Sequence, residues 1–329
     1  MAQLCGDLDD EISFFFSQTS ATRAECDDLA RTMLGGQVKP VSVQGATSYT
    51  VVAGRNHDKI VQFRSTDALL DARMLELAKQ VHGDIVPVST ALGRIGDGPQ
   101  RQLAIYEMNR LPGDNYAMVR TSLAEGLQTQ LTVIYSLASF FAQAWRNSIT
   151  PDQYARSAIA TEFSSRLANV SSSGILTARL HLAFDEVKEH LPMLISGDLP
   201  LVLTHSDLNE LNILVDGASG TITGVIDWTD AGIQPFGLTL YARDKVIGSM
   251  GPNGWVYLDN ANVLRDEFWK VFVQHAGPLS QMQIKSIDIG RKAGYLLRYG
   301  TYYSSTQKGV VGLGNMSVEK RRQYLEAIL

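Results

Sequence analysis

Leu203-Thr204-His205-Ser206-Asp207-Leu208-Asn209-Glu210-Leu211-Asn212-Ile213-Leu214-Val215 runs into Asp216-Gly217-Ala218-Ser219-Gly220 and then Thr221-Ile222-Thr223-Gly224-Val225-Ile226-Asp227-Trp228. Two short apolar runs joined by a polar, glycine-containing turn predict a β-hairpin. Folding the chain about that turn brings Asn212 and Asp227 near each other at the open end, with Asp207 on the loop leading in. Three oxygen-bearing side chains then converge. Phosphoryl transfer needs such a set: hard Mg²⁺ ions prefer carboxylate and amide oxygens and bridge nucleotide phosphates. A separate carboxylate orients the acceptor hydroxyl and takes its proton. On this reading Asp227 is the main metal ligand, Asn212 the second, and Asp207 the base, with His205 bracing the loop. A hydrogen-bonded Asp–Asn loop without metal is the plainer alternative.

Working outward toward the N-terminus, residues 8 to 34 read as one or two helices ending near Gly35-Gly36. Short β-branched runs follow at Val41-Ser42-Val43, Tyr49-Thr50-Val51-Val52 and Ile60-Val61-Gln62-Phe63, separated by turn residues. Leu70, Met74, Leu77 and Val81 stand at helical spacing and predict a helix over about 67 to 82. Leu103 to Met108 then reads as another strand. Three strands, a helix and further strands are the order of a kinase-like N-terminal lobe. Beyond Leu111-Pro112-Gly113 the chain reads as mainly helical apart from the one hairpin. The expected fold class is therefore α+β, a protein-kinase-like two-lobed fold. Residues 1–108 form the β-rich nucleotide-binding lobe with its leading helices. Residues 109–329 form the helical lobe with the catalytic loop and substrate site.

Composition narrows the class of function. At 329 residues the chain is too long for one small core. Its 45% hydrophobic and 19% charged content is that of an ordinary globular protein. A formal net charge of −5 argues against a nucleic-acid partner. Cys5 and Cys26 lack metal-type spacing, so a reducing, cytoplasmic compartment is expected. Leu131 to Trp145 is apolar but interrupted by Thr132, Ser136, Ser139 and Gln143. It falls short of the ~20 residues a membrane span needs and predicts a buried core helix.

His205 to Asn212 resembles the catalytic loop of the aminoglycoside phosphotransferase superfamily, and Val225-Ile226-Asp227-Trp228 resembles its metal-binding strand. Ala231 to Gly237, Gly254-Trp255-Val256-Tyr257, Leu264-Arg265 and Phe268-Trp269 are similar to the continuation in fungal members. The resemblance covers most of the chain and implies ATP as donor, Mg²⁺ as cofactor and a hydroxyl on a small molecule as acceptor. Only Trp228 to Gln234 separates Asp227 from Pro235, which leaves no long activation segment to serve as a peptide platform. Protein-kinase activity is disfavoured.

The resemblance also implies a nucleotide site in the first lobe. The phosphate loop falls at Gln44-Gly45-Ala46-Thr47-Ser48-Tyr49, where Gly45, backbone N–H groups and the Thr47 or Ser48 hydroxyl could meet phosphate; an ordinary hairpin turn is the alternative. The lysine expected on the third strand is replaced by Gln62, with Arg64 two residues on and therefore on the same strand face. Asp71 lies where the helix acid would fall, and Glu76 is a second candidate. Either an Arg64–Asp71 pair substitutes for the usual Lys–Glu pair, or the clamp is weakened, or the two form a plain surface ion pair. Lys59 falls on the opposite face, toward solvent. The hinge that pairs with adenine falls at Tyr106-Glu107-Met108, although Glu107 could equally be a solvated rim charge.

In the family the acceptor is held by the catalytic loop and the C-terminal helices, which points to Asn209, Arg298 and Tyr299. From Pro235 to the end there are 12 Lys plus Arg against 7 Asp plus Glu. That sign disfavours a polycationic aminoglycoside. Trp255, Tyr257, Trp269, Tyr295, Tyr299, Tyr302 and Tyr303 offer either core packing or walls for a neutral or anionic metabolite. Three functions compete: an active small-molecule kinase, a nucleotide-binding pseudokinase, and an enzyme of changed chemistry on the same scaffold.

Overall fold

A computed structural model describes residues 8–98, 101–150, 153–195, 199–251, 254–300 and 316–329. Cys5, Tyr302 and Tyr303 lie outside them. The chain divides into two compact units, Met1–Gly113 with Thr223–Thr229, and Asp114–Ile222 with Asp230–Leu329. The division falls a few residues beyond Met108, and the segment carrying Asp227 groups with the first unit.

The first unit opens with α1 (Leu8–Ser17) and α2 (Arg23–Leu34). A capping box starts α2: the Glu25 N–H donates to the Thr22 hydroxyl, and the Thr22 N–H donates to the Glu25 carboxylate at 2.8 Å. Next come β1 (Lys39–Pro40), β2 (Ser48–Ala53), β3 (Lys59–Ser65), α3 (Ala72–His82), β4 (Ser89–Ile95) and β5 (Leu103–Asn109). The strands form an antiparallel sheet in the order β1-β2-β3-β5-β4. Alternation sends Tyr49, Val51, Ala53, Val61 and Phe63 to one face, where they pack with Ile12, Phe15, Cys26 and Ala30 of the leading helices. The opposite face carries a polar patch beside a small apolar cluster of Leu70, Ala104 and Tyr106. Ser48 stands opposite Arg64, Thr50 opposite Gln62, and Gln62 opposite Tyr106.

Three details depart from expectation. Val41-Ser42-Val43 is not a strand: the Val41 N–H still bonds the Thr50 carbonyl at 3.1 Å, but the Gln44 side chain ends the ladder there. Its amide donates to the same carbonyl at 2.9 Å and its oxygen accepts from the Thr50 N–H at 2.8 Å. The helix expected from residue 67 starts at Ala72, where Asp71 caps it. β4 carries no buried apolar face, so it lacks the alternation by which a strand is read from sequence.

The second unit comprises β6 (Asp114–Asn115), α4 (Tyr116–Leu123), α5 (Leu127–Arg146), α6 (Gln153–Ser172), α7 (Ala178–Ile195), β7 (Leu201–Thr204) and β8 (Ile213–Val215). β9 (Ile222–Val225), which from Thr223 groups with the first unit, follows the Asp216–Gly220 turn. Then come β10 (Gly232–Pro235), α8 (Tyr241–Ile247), β11 (Gly248–Gly251), β12 (Gly254–Tyr257), α9 (Ala261–Ala276), α10 (Gln281–Tyr299) and α11 (Val318–Ile328). The strand content exceeds the single expected hairpin: β7 pairs with β10, and β11 with β12. The apolar run within α5 is a core helix, burying Val133, Ile134, Leu137, Ala138, Phe140, Phe141 and Ala144. Its Phe141 and Trp145 rings join Phe236, Phe268 and Phe272 in one aromatic cluster. Among the described residues no helix is long and apolar enough to cross a membrane.

Helix α10 passes the 236–238 segment without room for side chains. A Cβ on Gly294 would lie 1.9 Å from the Leu238 carbonyl oxygen, and one on Gly290 would lie 2.7 Å from that of Phe236. Arg298 stands one turn beyond Gly294 on the same helix face.

Candidate active site

In the second unit, β7 and β10 hold the entry to the loop at residues 205–212. Ser206 turns it sharply, with φ of 62° in the left-handed region. The Asp207 N–H bonds the His205 carbonyl at 2.8 Å, and the Asn212 N–H bonds the Asn209 carbonyl at 3.1 Å. Asn209 is consumed inside the loop, its oxygen accepting from the Leu211 N–H at 2.8 Å and its amide donating to the Asp207 carbonyl at 3.2 Å. In this loop it braces the turn.

Asp207 and Asn212 are in direct contact. The Asn212 amide donates to the Asp207 carbonyl at 2.9 Å and to Oδ2 at 3.2 Å. Both partners are acceptors, so the amide nitrogen must face them and Asn212 Oδ1 must point elsewhere. Arg298 closes the other side, Nη2 donating to Asp207 Oδ1 at 2.7 Å. Burial alone would push the Asp207 carboxyl up, but the charge and hydrogen bond of Arg298 outweigh it. With His205 and Asn209 pulling the same way, the carboxyl sits below its ordinary range. His205 is itself buried.

The neighbouring acid is gripped too. Lys245 Nζ lies 2.9 Å from Glu210 Oε2, and Arg120 Nη1 lies 3.7 Å from Oε1. Burial opposes ionisation here as well, and the lysine overrides it to lower the Glu210 carboxyl. Sequence reasoning missed Glu210, Lys245 and Arg120, since nothing in their spacing links them.

Arg298 and Tyr299 correct the sequence reading. Both were expected to face a substrate. Arg298 is instead a buried partner of Asp207, and Tyr299 is fully buried, stacked between Tyr295 and Tyr324. Tyr295 is likewise core, its hydroxyl donating to Asp244 at 2.9 Å. Trp269 packs edge-on to Phe268 and Phe272, and Trp255 against Tyr257 and Tyr324.

In the first unit, Asp227 also adopts a left-handed backbone, φ 62°. Its Oδ1 accepts from the Thr229 hydroxyl at 2.7 Å and from Arg64 Nη1 at 3.2 Å. Trp228 anchors the segment, its indole N–H donating to the Val225 carbonyl at 2.8 Å and its ring packed near His82. Arg64 is buried and spends its other donors on Gln62 Oε1, the Ala68 carbonyl and the Thr229 hydroxyl, at 2.8, 2.8 and 2.5 Å.

The Arg64–Asp71 pair expected from sequence does not form. Asp71 accepts from the N–H groups of Arg73 and Met74 at the start of α3, a capping role that competes with ion pairing. Glu76 is exposed. Lys59 is not simply solvated: its ammonium lies 2.8 Å from Glu107 Oε1, so Glu107 is a paired residue and not a free rim charge. Met108 packs beside Leu70 and Tyr106. Gly45 and Thr47 are exposed, whereas the buried Ser48 hydroxyl accepts from the Gln62 amide at 3.3 Å. That leaves backbone and Thr47, not Ser48, open at the turn.

Among the described residues no group of three or more His, Cys, Asp or Glu is gathered to hold a metal. Oxygen donors of the kind a Mg²⁺ ion prefers are the partly exposed Asp227 carboxylate in the first unit and, in the second, the Asn212 Oδ1 left over by its amide.

These elements define a protein-kinase-like α+β fold. The chain belongs to the phosphotransferase enzyme family, whose model matches residues 38–238. Among solved structures it is similar to macrolide 2'-phosphotransferase MphH from Brachybacterium faecium. The identity there is 17%, over 92% of this chain and 97% of that one, with a TM-score of 0.53. It is also similar to a GDP complex of an aminoglycoside 2'-phosphotransferase-IIIa mutant, at 13% identity, 85% and 90% coverage and a TM-score of 0.50. No curated protein matches it by sequence.

Proposed function

We propose that this phosphotransferase uses ATP and Mg²⁺ to phosphorylate a hydroxyl of a small molecule that is not an aminoglycoside, in the cytoplasm. The observation carrying the reading is the Asp207 carboxylate. It is kept ionised, partly exposed (30%), and fixed between Arg298 and Asn212. A carboxylate so held can orient an acceptor hydroxyl and take its proton. Asn212 Oδ1 and Asp227 would hold Mg²⁺, which when bound screens the phosphate charge. The phosphate loop at Gly45 and Thr47, and the hinge backbone at Glu107 and Met108, would receive the nucleotide. Arg64 stands in for the missing lysine.

The acceptor class follows from charge. Both acids of the catalytic loop already carry internal cations, Arg298 on Asp207 and Lys245 with Arg120 on Glu210. Asp244, Asp288 and Glu186 are likewise paired with Arg243, Arg291 and Lys292. An ammonium-rich substrate would have to compete for each of them, while a neutral hydroxylated compound would not. A nucleotide-binding pseudokinase is the second reading, favoured by Arg64, which already makes four hydrogen bonds within the protein.

The test is nucleotide turnover with Mg²⁺ on a panel of uncharged, anionic and aminoglycoside acceptors, offering ATP and GTP separately. Turnover of uncharged acceptors, abolished in Asp207→Asn, supports the proposal. Efficient, salt-sensitive turnover of kanamycin-type aminoglycosides overturns the acceptor class. Nucleotide binding without turnover on any acceptor favours the pseudokinase.

A further inference from the structure

The catalytic loop ends near Asn212, yet the residue that fixes its base comes from α10. The Arg298 guanidinium is buried. Nη2 donates to Asp207 Oδ1 at 2.7 Å and Nη1 to the Tyr241 hydroxyl at 3.0 Å, and the carbon of the group sits 4.5 Å over the Tyr241 ring. The Tyr241 hydroxyl in turn donates to the Ser206 carbonyl at 2.8 Å. One arginine–tyrosine pair therefore grips two consecutive residues of the loop at its most constrained point. Ser206 there holds a left-handed backbone, a conformation unfavourable for a non-glycine residue that persists only when its surroundings enforce it.

The two carboxylate oxygens of Asp207 are not equivalent under this grip. Oδ1 faces a planar, fully buried cation that cannot deprotonate. Among the described residues, Oδ2 takes a longer contact, from the Asn212 amide at 3.2 Å. A carboxylate bonded at one oxygen by a guanidinium whose other prong is held by Tyr241 is restrained from rotating about its own axis. We infer that Arg298, set by Tyr241, is a positioning residue for Asp207, fixing Oδ1 so that Oδ2 is presented to the acceptor hydroxyl. The inference rests on the proposed role of Asp207 as base. It assigns to α10 a part in the chemistry that no residue of the loop supplies. Gly290 and Gly294 bring α10 against the 236–238 backbone, and Arg298 follows one turn later.

The test uses the full chain with MgATP and water as acceptor, reading kcat, KM and, by calorimetry, the nucleotide dissociation constant. A misplaced catalytic group costs about a hundredfold. Arg298→Met is expected to lower kcat by that order with the nucleotide constant unchanged. Arg298→Lys should recover part of the loss, since it restores one donor without the fork. Tyr241→Phe keeps the ring and removes the hydroxyl, and should lower kcat by about tenfold. It decides the matter should Arg298→Met fail to fold. An active wild type with kcat unchanged in these variants overturns this inference alone, as does a rise in the nucleotide constant matching the loss of kcat. A wild type that releases no ADP with water or with any acceptor of the panel above overturns the active-enzyme reading and this inference together.

Discussion

Each unit sets a buried arginine against a partly exposed aspartate, and the two pairs are built differently. Arg64 in the first unit divides four donor contacts among Gln62, Ala68, Thr229 and Asp227, and its contact with the aspartate is the longest, at 3.2 Å. Arg298 in the second unit gives its shortest bond, 2.7 Å, to Asp207. In the first pair the arginine belongs to a strand network and the aspartate is one of several acceptors. In the second the arginine serves the aspartate. A carboxylate that must exchange partners with a cation suits the looser hold, and one that must keep its orientation through a reaction suits the tighter one.

The most forceful test of that contrast exchanges the two acids. Asp207→Asn should lower turnover by about 10²–10⁴-fold, the range of a lost general base, with nucleotide affinity close to normal. Asp227→Ala should instead weaken Mg²⁺-dependent nucleotide binding itself. Equal loss of nucleotide by both variants in calorimetry would erase the distinction between the pairs. Arg64→Ala comes next, expected to raise the nucleotide dissociation constant about tenfold, worth about 1.4 kcal/mol. An unchanged constant would leave Arg64 as a strand-network residue only.

A third measurement sharpens the comparison by following one unit. Burial, reinforced by Asp27 and Glu25, pushes the Cys26 thiol up to about 12, so at pH 8 it should resist thiol reagents until the first unit opens. In a Cys5→Ser background, Asp227→Ala should speed Cys26 labelling by leaving Arg64 short of an acceptor. Asp207→Asn should not. Acceleration by both would mean that the lesions do not stay within their units. The smallest effect is expected at Lys59→Met. Its pair with Glu107 is partly exposed, so the urea midpoint should move by less than about 1 kcal/mol equivalent.

The loop from His205 to Asn212 was legible because its chemistry is local: the Asp207–Asn212 contact spans five residues and is set by one turn. The sheet of the first unit was legible for a similar reason, since alternation at Tyr49, Val51, Val61 and Phe63 reports a buried face directly. The pairings of the arginines were not. Arg64 reaches Asp227 and Arg298 reaches Asp207 across long stretches of chain, and periodicity carries no information about such partners. Proximity in sequence suggested Asp71 for Arg64, but a carboxylate beside the first turn of a helix is drawn to the free N–H groups there. The C-terminal aromatics misled in a related way. Tyr295 and Tyr299 look the same in sequence whether they wall a cleft or stack in a core, and only the packing of α10 and α11 decides.

Two absent methyl groups also give the molecule a vulnerability remote from its chemistry. Because nothing larger than hydrogen fits at Gly294 against the Leu238 carbonyl, a single alanine there would have to lift α10 or shift the strand-to-helix connection beneath it. Arg298 rides on the same stretch of helix and would move with it. Such a lesion would touch no residue of the 205–212 loop, yet in a screen for lost activity it should score beside Asp207 itself. A map of loss-of-function positions along this chain should therefore show a second cluster spaced by helical turns, well downstream of the first.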